Sequence, residues 1–368
     1  MKFKIKKEKL SNILQIADKA ISQIIPFPYL KGILIKVEKE LITFITSDSH
    51  ISIKTSLNNK EFFEVEEEGI FLIDEKMVGD ITRKIDSEDI NFDSVEKESI
   101  TVYGGDSQFK LNTLDYENYP EIDFSCVGNE FEVNSCTLQT IIEKTAYACS
   151  EKEIHPNLTG INLFSKDGKL HASATDHFRL AFLSLNVEVN NDINIIIPKK
   201  YFISVVQCLK EDEIVKLNIQ NNKIIFNLNE TIIQTELVED LFPDISTILK
   251  QQSSNVLIVD KNKLQKTIDR CSLIKDDKNK TIINLIIKNN KLSLSSRNSI
   301  SSSNENVEII SYTGSDIDIL YDSKFLQESL KVIDTKEVII EFIGDLKPIF
   351  IKNKDDDSLI SVISPQRR

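Results

Sequence analysis

The chain has 368 residues, more than one typical domain holds, and its 40 % hydrophobic and 28 % charged content is that of an ordinary globular protein. Its net charge of −13, from 45 basic against 58 acidic residues, counts against a protein that holds nucleic acid by surface charge alone, because that affinity comes from neutralising phosphates. Cys126, Cys136, Cys149, Cys208 and Cys271 are widely spaced and form no CxxC pair, which argues against a disulfide framework or a zinc site and suits a reducing cytoplasm.

The opening MKFKIKKEKL is basic but leads into no apolar core of signal-peptide length. No apolar run approaches the roughly 20 residues a membrane-spanning helix needs, so a soluble, cytoplasmic protein is expected.

Taken in chain order, the predicted elements repeat. Phe3–Leu10, Phe131–Leu138 and Leu257–Leu264 each begin with alternating apolar residues, as a half-buried strand requires, and then reach a polar break. Beyond the break the spacing becomes helical, as in Leu10, Ile13, Leu14 and Ala17. Deeper in each copy, the stretches from Phe71, Ile195 and Ile319 again predict strand, break and helix, with Lys76, Lys200 and Lys324 in equivalent places. The breaks at Asp74, Pro198 and Asp322 suit helix starts, since Asp caps free N–H groups and Pro tolerates the first turn. A third set, Thr46-Ser-Asp48, Thr175-Asp176 and Arg297-Asn298, predicts a strand ending in a small polar turn.

Three sets in the same order at nearly constant spacing predict three domains, near 1–127, 128–253 and 254–368, each with two strand–helix–strands halves. The joints fall in the polar stretches 124–129 and 251–255. Six similar half-units suit a ring, with antiparallel sheet outside and helices inside, that leaves few strand edges open. Three tandem domains without a ring remain the alternative.

Little points to catalysis. His50, His155, His171 and His177 belong to no HxxxH or HExxH pattern, although His171 and His177 could lie near one another. Gly104-Gly105 sits in YGGDS, a predicted hairpin turn, and GxGxxG, GxxxxGK[ST] and GxSxG are absent. The acidic runs Glu66–Glu68 and Asp355–Asp357 are expected in solvated loops between strands rather than at a metal ion. No set assembles a nucleophile, a base and an orienting group, so no catalytic residue, metal or cofactor is expected.

Ala174-Thr-Asp-His-Phe-Arg-Leu-Ala181 resembles the ATDGHRLA signature of the bacterial DNA polymerase III beta subunit, the DNA sliding clamp. The resemblance extends along the chain through the opening residues, Pro28-Tyr-Leu30, Phe109–Leu114, Leu158-Thr-Gly160, Phe242-Pro-Asp244 and Ser364-Pro-Gln-Arg367. It implies an α+β fold of three repeated clamp domains, each with two helices and antiparallel sheets. It also implies a head-to-tail homodimer closed into a ring around double-stranded DNA.

It further implies a pocket where the replicative polymerase, the clamp loader and other proteins dock through short peptides. Carried onto this sequence, the pocket comprises Leu158, Thr175, His177, Phe178, Arg179, Leu180, Pro243, Ile248, Val362, Ser364, Pro365 and Arg367. The residue types suit it: Leu158, Leu180, Ile248 and Val362 offer an apolar socket, while Thr175 and Arg179 can fix polar groups.

Several positions depart from the family. His177-Phe178 stands where Gly-His is usual, Ser364 and Gln366 replace methionines, and the chain ends Arg367-Arg368. Methionines adapt to varied partners, so a narrower or shifted peptide preference is expected.

The resemblance places Phe109 and Leu111 on one side of the subunit joint, with Leu273 and Ile274 on the other. A clamp is retained by linkage, so a mildly basic inner surface is enough. Its expected bases are Lys7, Lys9, Lys19, Lys199, Lys200, Lys261, Lys263 and Lys266 at recurrent helix starts, with the acidic excess on the outer sheets. Ile24 stands where the family often has an arginine. Weak, salt-sensitive, sequence-independent DNA contact is the result expected. The competing readings are a tandem-domain peptide-binding adaptor that never encircles DNA, and a metal-dependent hydrolase built on the acidic runs.

Overall fold

The computed structural model describes residues 1–21, 27–96, 98–152, 154–189, 192–251, 253–276, 280–344 and 346–367. The remarks on Ile24 and Arg368 fall outside the described residues.

The periodicities become elements in the order expected. In the first repeat β1 (Lys2–Lys6) runs into α1 (Lys7–Ala17). Then come β2 (Gly32–Glu38), β3 (Leu41–Ser47), β4 (Ile51–Leu57), β5 (Phe63–Glu67) and β6 (Gly69–Asp74). The last leads into α2 (Glu75–Lys84), and β7 (Asp89–Glu96), β8 (Ser99–Gly104) and β9 (Ser107–Asn112) close the repeat.

The second repeat has β10 (Asn129–Asn134), α3 (Ser135–Thr145), β11 (Gly160–Lys166), β12 (Lys169–Thr175) and the long β13 (Arg179–Glu188). It continues with β14 (Asn194–Pro198), α4 (Lys199–Val206), β15 (Ile214–Gln220), β16 (Lys223–Leu228) and β17 (Thr231–Glu236). A one-turn α5 (Ser246–Leu249), which the sequence did not announce, precedes the third repeat. There β18 (Asn255–Asp260), α6 (Lys261–Cys271), β19 (Ile282–Lys288), β20 (Lys291–Arg297), β21 (Ser302–Val307) and β22 (Ile309–Thr313) lead to β23 (Ile317–Asp322) and α7 (Ser323–Lys331). The last strands are β24 (Glu337–Phe342), β25 (Ile349–Asn353) and β26 (Asp356–Ile363).

Capping sets the helix starts. Asp74 accepts from the Met77 N–H, Asp260 from Lys263 and Asp322 from Lys324, each covering an N–H that the helix itself leaves free. α1 buries Leu10, Ile13, Leu14 and Ala17, the stripe its spacing predicted.

Two compact units result, one of Met1–Leu138 with Lys200–Leu237, the other of Gln139–Lys199 with Val238–Arg368. They cut across the repeats because sheets continue over repeat boundaries. In the first unit β4 pairs with β17, giving an eight-stranded sheet in the order β10-β15-β16-β17-β4-β3-β2-β6 beside a five-stranded sheet, β5-β1-β7-β8-β9. In the second unit β13 pairs with β26, giving β14-β11-β12-β13-β26-β25-β24-β18-β22 beside β21-β20-β19-β23. Every pairing is antiparallel. Strand side chains alternate between faces, and while outer strands bury one row, central strands such as β3 and β12 are buried on both.

Several local expectations hold and others are corrected. Gly105, at φ +54°, turns the β8–β9 hairpin within YGGDS. The acidic runs are not simply loops: Glu66 and Glu67 end β5, where they pair with Lys2 (2.7 Å) and the N-terminal ammonium (3.0 Å). Asp356 and Asp357 begin β26. His171 lies between the rings of Phe164 and Phe182, where burial lowers its basicity, whereas the ring beside His177 is that of His155.

Candidate peptide-binding site

All the expected pocket residues lie in the second unit. The site is organised by the turn between β12 and β13. Asp176 Oδ1 accepts from the N–H groups of Phe178 and Arg179, both at 3.0 Å, closing the turn on a side chain. His177 then adopts φ +75°, a left-handed backbone that a residue with a Cβ adopts at a cost.

Leu180, directly after the turn, stands opposite Val362 in the β13–β26 pairing. Both are buried in an apolar cluster with Ile245 and Phe350, flanked by Phe242, Ile248 and Leu249. Three of the four expected socket residues, Leu180, Ile248 and Val362, are thus brought together. Leu158 is buried at the end of a short 3-10 turn (Pro156–Leu158), where its carbonyl accepts from the Ser150 N–H at 2.7 Å, and it is not a member of that cluster.

Pro243 is half-buried ahead of α5, whose first N–H is capped by Asp244. The tail is tied to the same place: the Ser364 N–H donates to the Phe178 carbonyl and the Gln366 N–H to the Leu320 carbonyl, both at 2.8 Å. Pro365 lies half-buried between those two anchors, and Arg367 is exposed.

Thr175 and Arg179 are occupied inside the protein. The Thr175 hydroxyl donates to the Arg179 carbonyl at 2.6 Å. The Arg179 guanidinium, 6 % exposed as a residue, donates to Asp176 (3.0 Å) and pairs with Glu328, while lying over the rings of Tyr147 and Phe325. As arranged, the pair holds the turn.

Phe178 points outward, 56 % exposed, and its ring stacks on Phe325 with centroids 6.5 Å apart. Phe325, Tyr147, Glu328, Ile245 and Phe350 were not foreseen, because their proximity depends on strands and helices distant in sequence. What is brought together is a buried apolar cluster beside an aromatic shelf, with backbone groups at its rim. Elsewhere, burial pushes the Cys149 and Cys208 thiols up to about 12, so neither is a nucleophile near neutral pH.

The expected DNA-facing lysines fall into two kinds. Lys7 and Lys261 are the first residues of α1 and α6, and each donates to a carbonyl beyond the second helix of its repeat: Lys7 to Ile85 at 2.5 Å, Lys261 to Ile333 at 2.7 Å. Lys9 pairs with Glu230 at 2.6 Å and Lys263 with Glu308 at 2.6 Å. Lys199 and Lys200 open α4, with Lys200 mostly exposed 3.8 Å from Asp48. Two do not sit at helix starts: Lys19 lies in the 3-10 turn after α1, and Lys266 is midway along α6. At the expected subunit joint Leu273 is 81 % exposed and Phe109 partly exposed on the edge strand β9, but Leu111 is covered by its own core.

Family models of the DNA polymerase III beta subunit match nearly the whole chain, as N-terminal domain over residues 1–123, central domain over 132–244 and C-terminal domain over 246–367. The beta sliding clamp of Staphylococcus epidermidis is 30 % identical over 374 residues, spanning 100 % of this chain and 99 % of that protein. That of Staphylococcus aureus is 28 % identical over the same length and coverage. Among solved structures, the DNA polymerase sliding clamp of Bacillus subtilis superposes with a TM-score of 0.95 at 26 % identity, covering 100 % of this chain and 99 % of that one. The DNA polymerase III beta chain of Streptococcus pneumoniae also gives 0.95 at 26 %, with 100 % of both chains covered.

Proposed function

From the premise that the chain belongs to the DNA polymerase III beta-subunit family and is a DNA sliding clamp, we propose that it acts as a head-to-tail homodimer encircling double-stranded DNA. In this reading three clamp domains, 1–127, 128–253 and 254–368, line up around the ring, helices inward and sheets outward. The clamp tethers the replicative polymerase, the clamp loader and other peptide-bearing proteins, and catalyses nothing itself. It works in the cytoplasm; no described helix is long and apolar enough to cross a membrane.

The observation that supports the tethering role is the apolar cluster of Leu180, Ile245, Phe350 and Val362, with the exposed Phe178 and the anchored tail at its border. Ring closure has its own support in the open edge strands β9 and β21. The inner lysines already engaged by Glu230, Glu308 and backbone carbonyls suit weak DNA contact, since a paired charge attracts phosphate less strongly.

The test is synthesis on a primed single-stranded circle with the cognate polymerase and loader. Long products that require this chain, and that disappear with Leu180→Asp, support the reading. Products of unchanged length with and without the chain overturn it.

A further inference from the structure

Gly79 sits at the centre of α2, where glycine is the least favourable residue after proline. Crowding does not demand it: a Cβ there would meet nothing nearer than Glu75 Oε1 and Arg83 Nη1, both at 3.6 Å, an ordinary contact distance. Gly79 lines a cavity of about 1080 Å³ that lies wholly within the first unit. α1 and α2 wall it together with the stretch after α4 and the β16–β17 turn.

Two unsatisfied polar groups line the cavity from the same stripe of α2. Glu75 and Thr82 stand one turn before and one turn after Gly79. Glu75 is 4 % exposed, and its carboxyl accepts no hydrogen bond from any described residue. The Thr82 Oγ1 is buried and has no partner among the described residues. The fold leaves both groups desolvated and unmatched, a cost that hydrogen-bonding groups on a ligand remove.

The rest of the lining is cationic. Lys9 pairs with Glu230 and Arg83 with Asp80, which leaves Asp18 and Glu213 against three amines, Lys19, Lys76 and Lys210. None of those three forms an ion pair with a described residue. Ile16 and Leu228 add apolar wall. A buried carboxyl, a helix face bare of side chain and unpaired amines thus share one cavity.

We propose that this cavity binds a guanine nucleotide, with the base edge on Glu75, the ring against Gly79 and the phosphates on the three lysines. A carboxylate with two open oxygens matches a flat edge that carries two adjacent N–H donors, and guanine presents N1–H beside its N2 amino group. Adenine sets one amino group beside an acceptor, so one oxygen stays unmet. Arg83 and the Thr82 hydroxyl supply donors for guanine O6 and N7. A planar ring reaches Glu75 because no side chain stands on the helix between Glu75 and Thr82, the place that Gly79 keeps clear. Free guanine nucleotides and an unpaired guanine in a DNA strand share this chemistry. The site lies within one unit, so it does not depend on ring closure.

The test is calorimetric titration of the full chain with GDP, ADP and inorganic phosphate, and with a short thymidine strand with and without one central guanine. GDP is expected to bind at least about tenfold more tightly than ADP, and Glu75→Gln to weaken GDP by a similar factor. Gly79→Ala separates binding from folding. It should unfold at a higher temperature than the natural chain, since alanine favours the helix, yet bind GDP about tenfold more weakly. GDP binding without preference for the guanine-bearing strand assigns the site to free nucleotide; the reverse assigns it to a DNA strand. Equal binding of GDP and ADP would mean attraction of phosphate to lysines alone and overturns the proposal. So does a Gly79→Ala variant that binds GDP as the natural chain does, or the absence of binding by both GDP and the guanine-bearing strand.

Discussion

Leu180 and Val362 face one another across the β13–β26 pairing, the first directly after the Asp176 turn and the second two residues before the tail's first anchor at Ser364. One cross-strand pair thus sits between both segments that border the socket. Leu180→Ala should cost about 2–4 kcal/mol of stability, as buried leucines do, and weaken a peptide from the cognate polymerase at least about tenfold. Calorimetric titration of the folded variant checks this, and undiminished affinity would remove Leu180 from the socket.

Phe178 should act on choice of partner rather than on folding. Its ring is half in solvent and its loss should change stability by less than about 0.5 kcal/mol. Replacing His177-Phe178 with Gly-His should let peptides typical of the family bind more tightly, because bulk leaves the wall and the left-handed position at His177 no longer carries a Cβ. Equal affinities for the two proteins, measured by fluorescence polarisation on one peptide panel, would mean that the two substitutions leave peptide preference alone.

Arg179 is expected to behave as a keystone of the turn. Arg179→Ala leaves Asp176 and Glu328 without their cation in a nearly buried setting and should cost about 3–5 kcal/mol in denaturant unfolding. Glu328→Gln should cost clearly less, since Asp176 still pairs with the guanidinium. A surface-like effect of Arg179→Ala, under about 1 kcal/mol, would contradict the buried pairing.

How far these roles could be read from the sequence depended on distance along the chain. The strand–helix starts, the caps at Asp74 and Asp322, and the stripe Leu10, Ile13, Leu14, Ala17 are local patterns, and each appeared where the periodicity put it. The Asx turns were visible as Asp48, Asp176 and Asn298 at strand ends. Contacts that folding brings from afar escaped. Arg179 could be recognised as a charge, but its partner Glu328 and its platforms Tyr147 and Phe325 lie on other elements. Leu111 has the residue type of an interface but alternates inward on β9, so its own core covers it. The one-turn α5 is too short to carry a period.

Glu75 offers a pH test in the first unit. Buried at the start of α2, its carboxyl is pushed up to about 7 by desolvation first and then by Asp18 and Asp74, with Arg83 opposing. A carboxyl raised in the folded state favours folding in its neutral form. Its contribution is full below its unfolded value near 4.5 and is lost as pH rises through about 7. Glu75→Gln should therefore be more stable than the natural chain at pH 8, by about 2 kcal/mol, and close to it at pH 4.5. The difference between the two proteins in chemical unfolding across that range isolates this group. A constant difference would show that Glu75 does not titrate there.

Retention on DNA tests encirclement most directly. The protein is loaded onto nicked circular duplex with the cognate clamp loader and ATP, and bound protein is measured before and after the circle is cut once. Protein that stays on circles and is lost from the linear form is the result expected of a closed ring held by linkage. Equal retention on both forms, with a control clamp running off as it should, would mean ordinary surface binding and would contradict the ring.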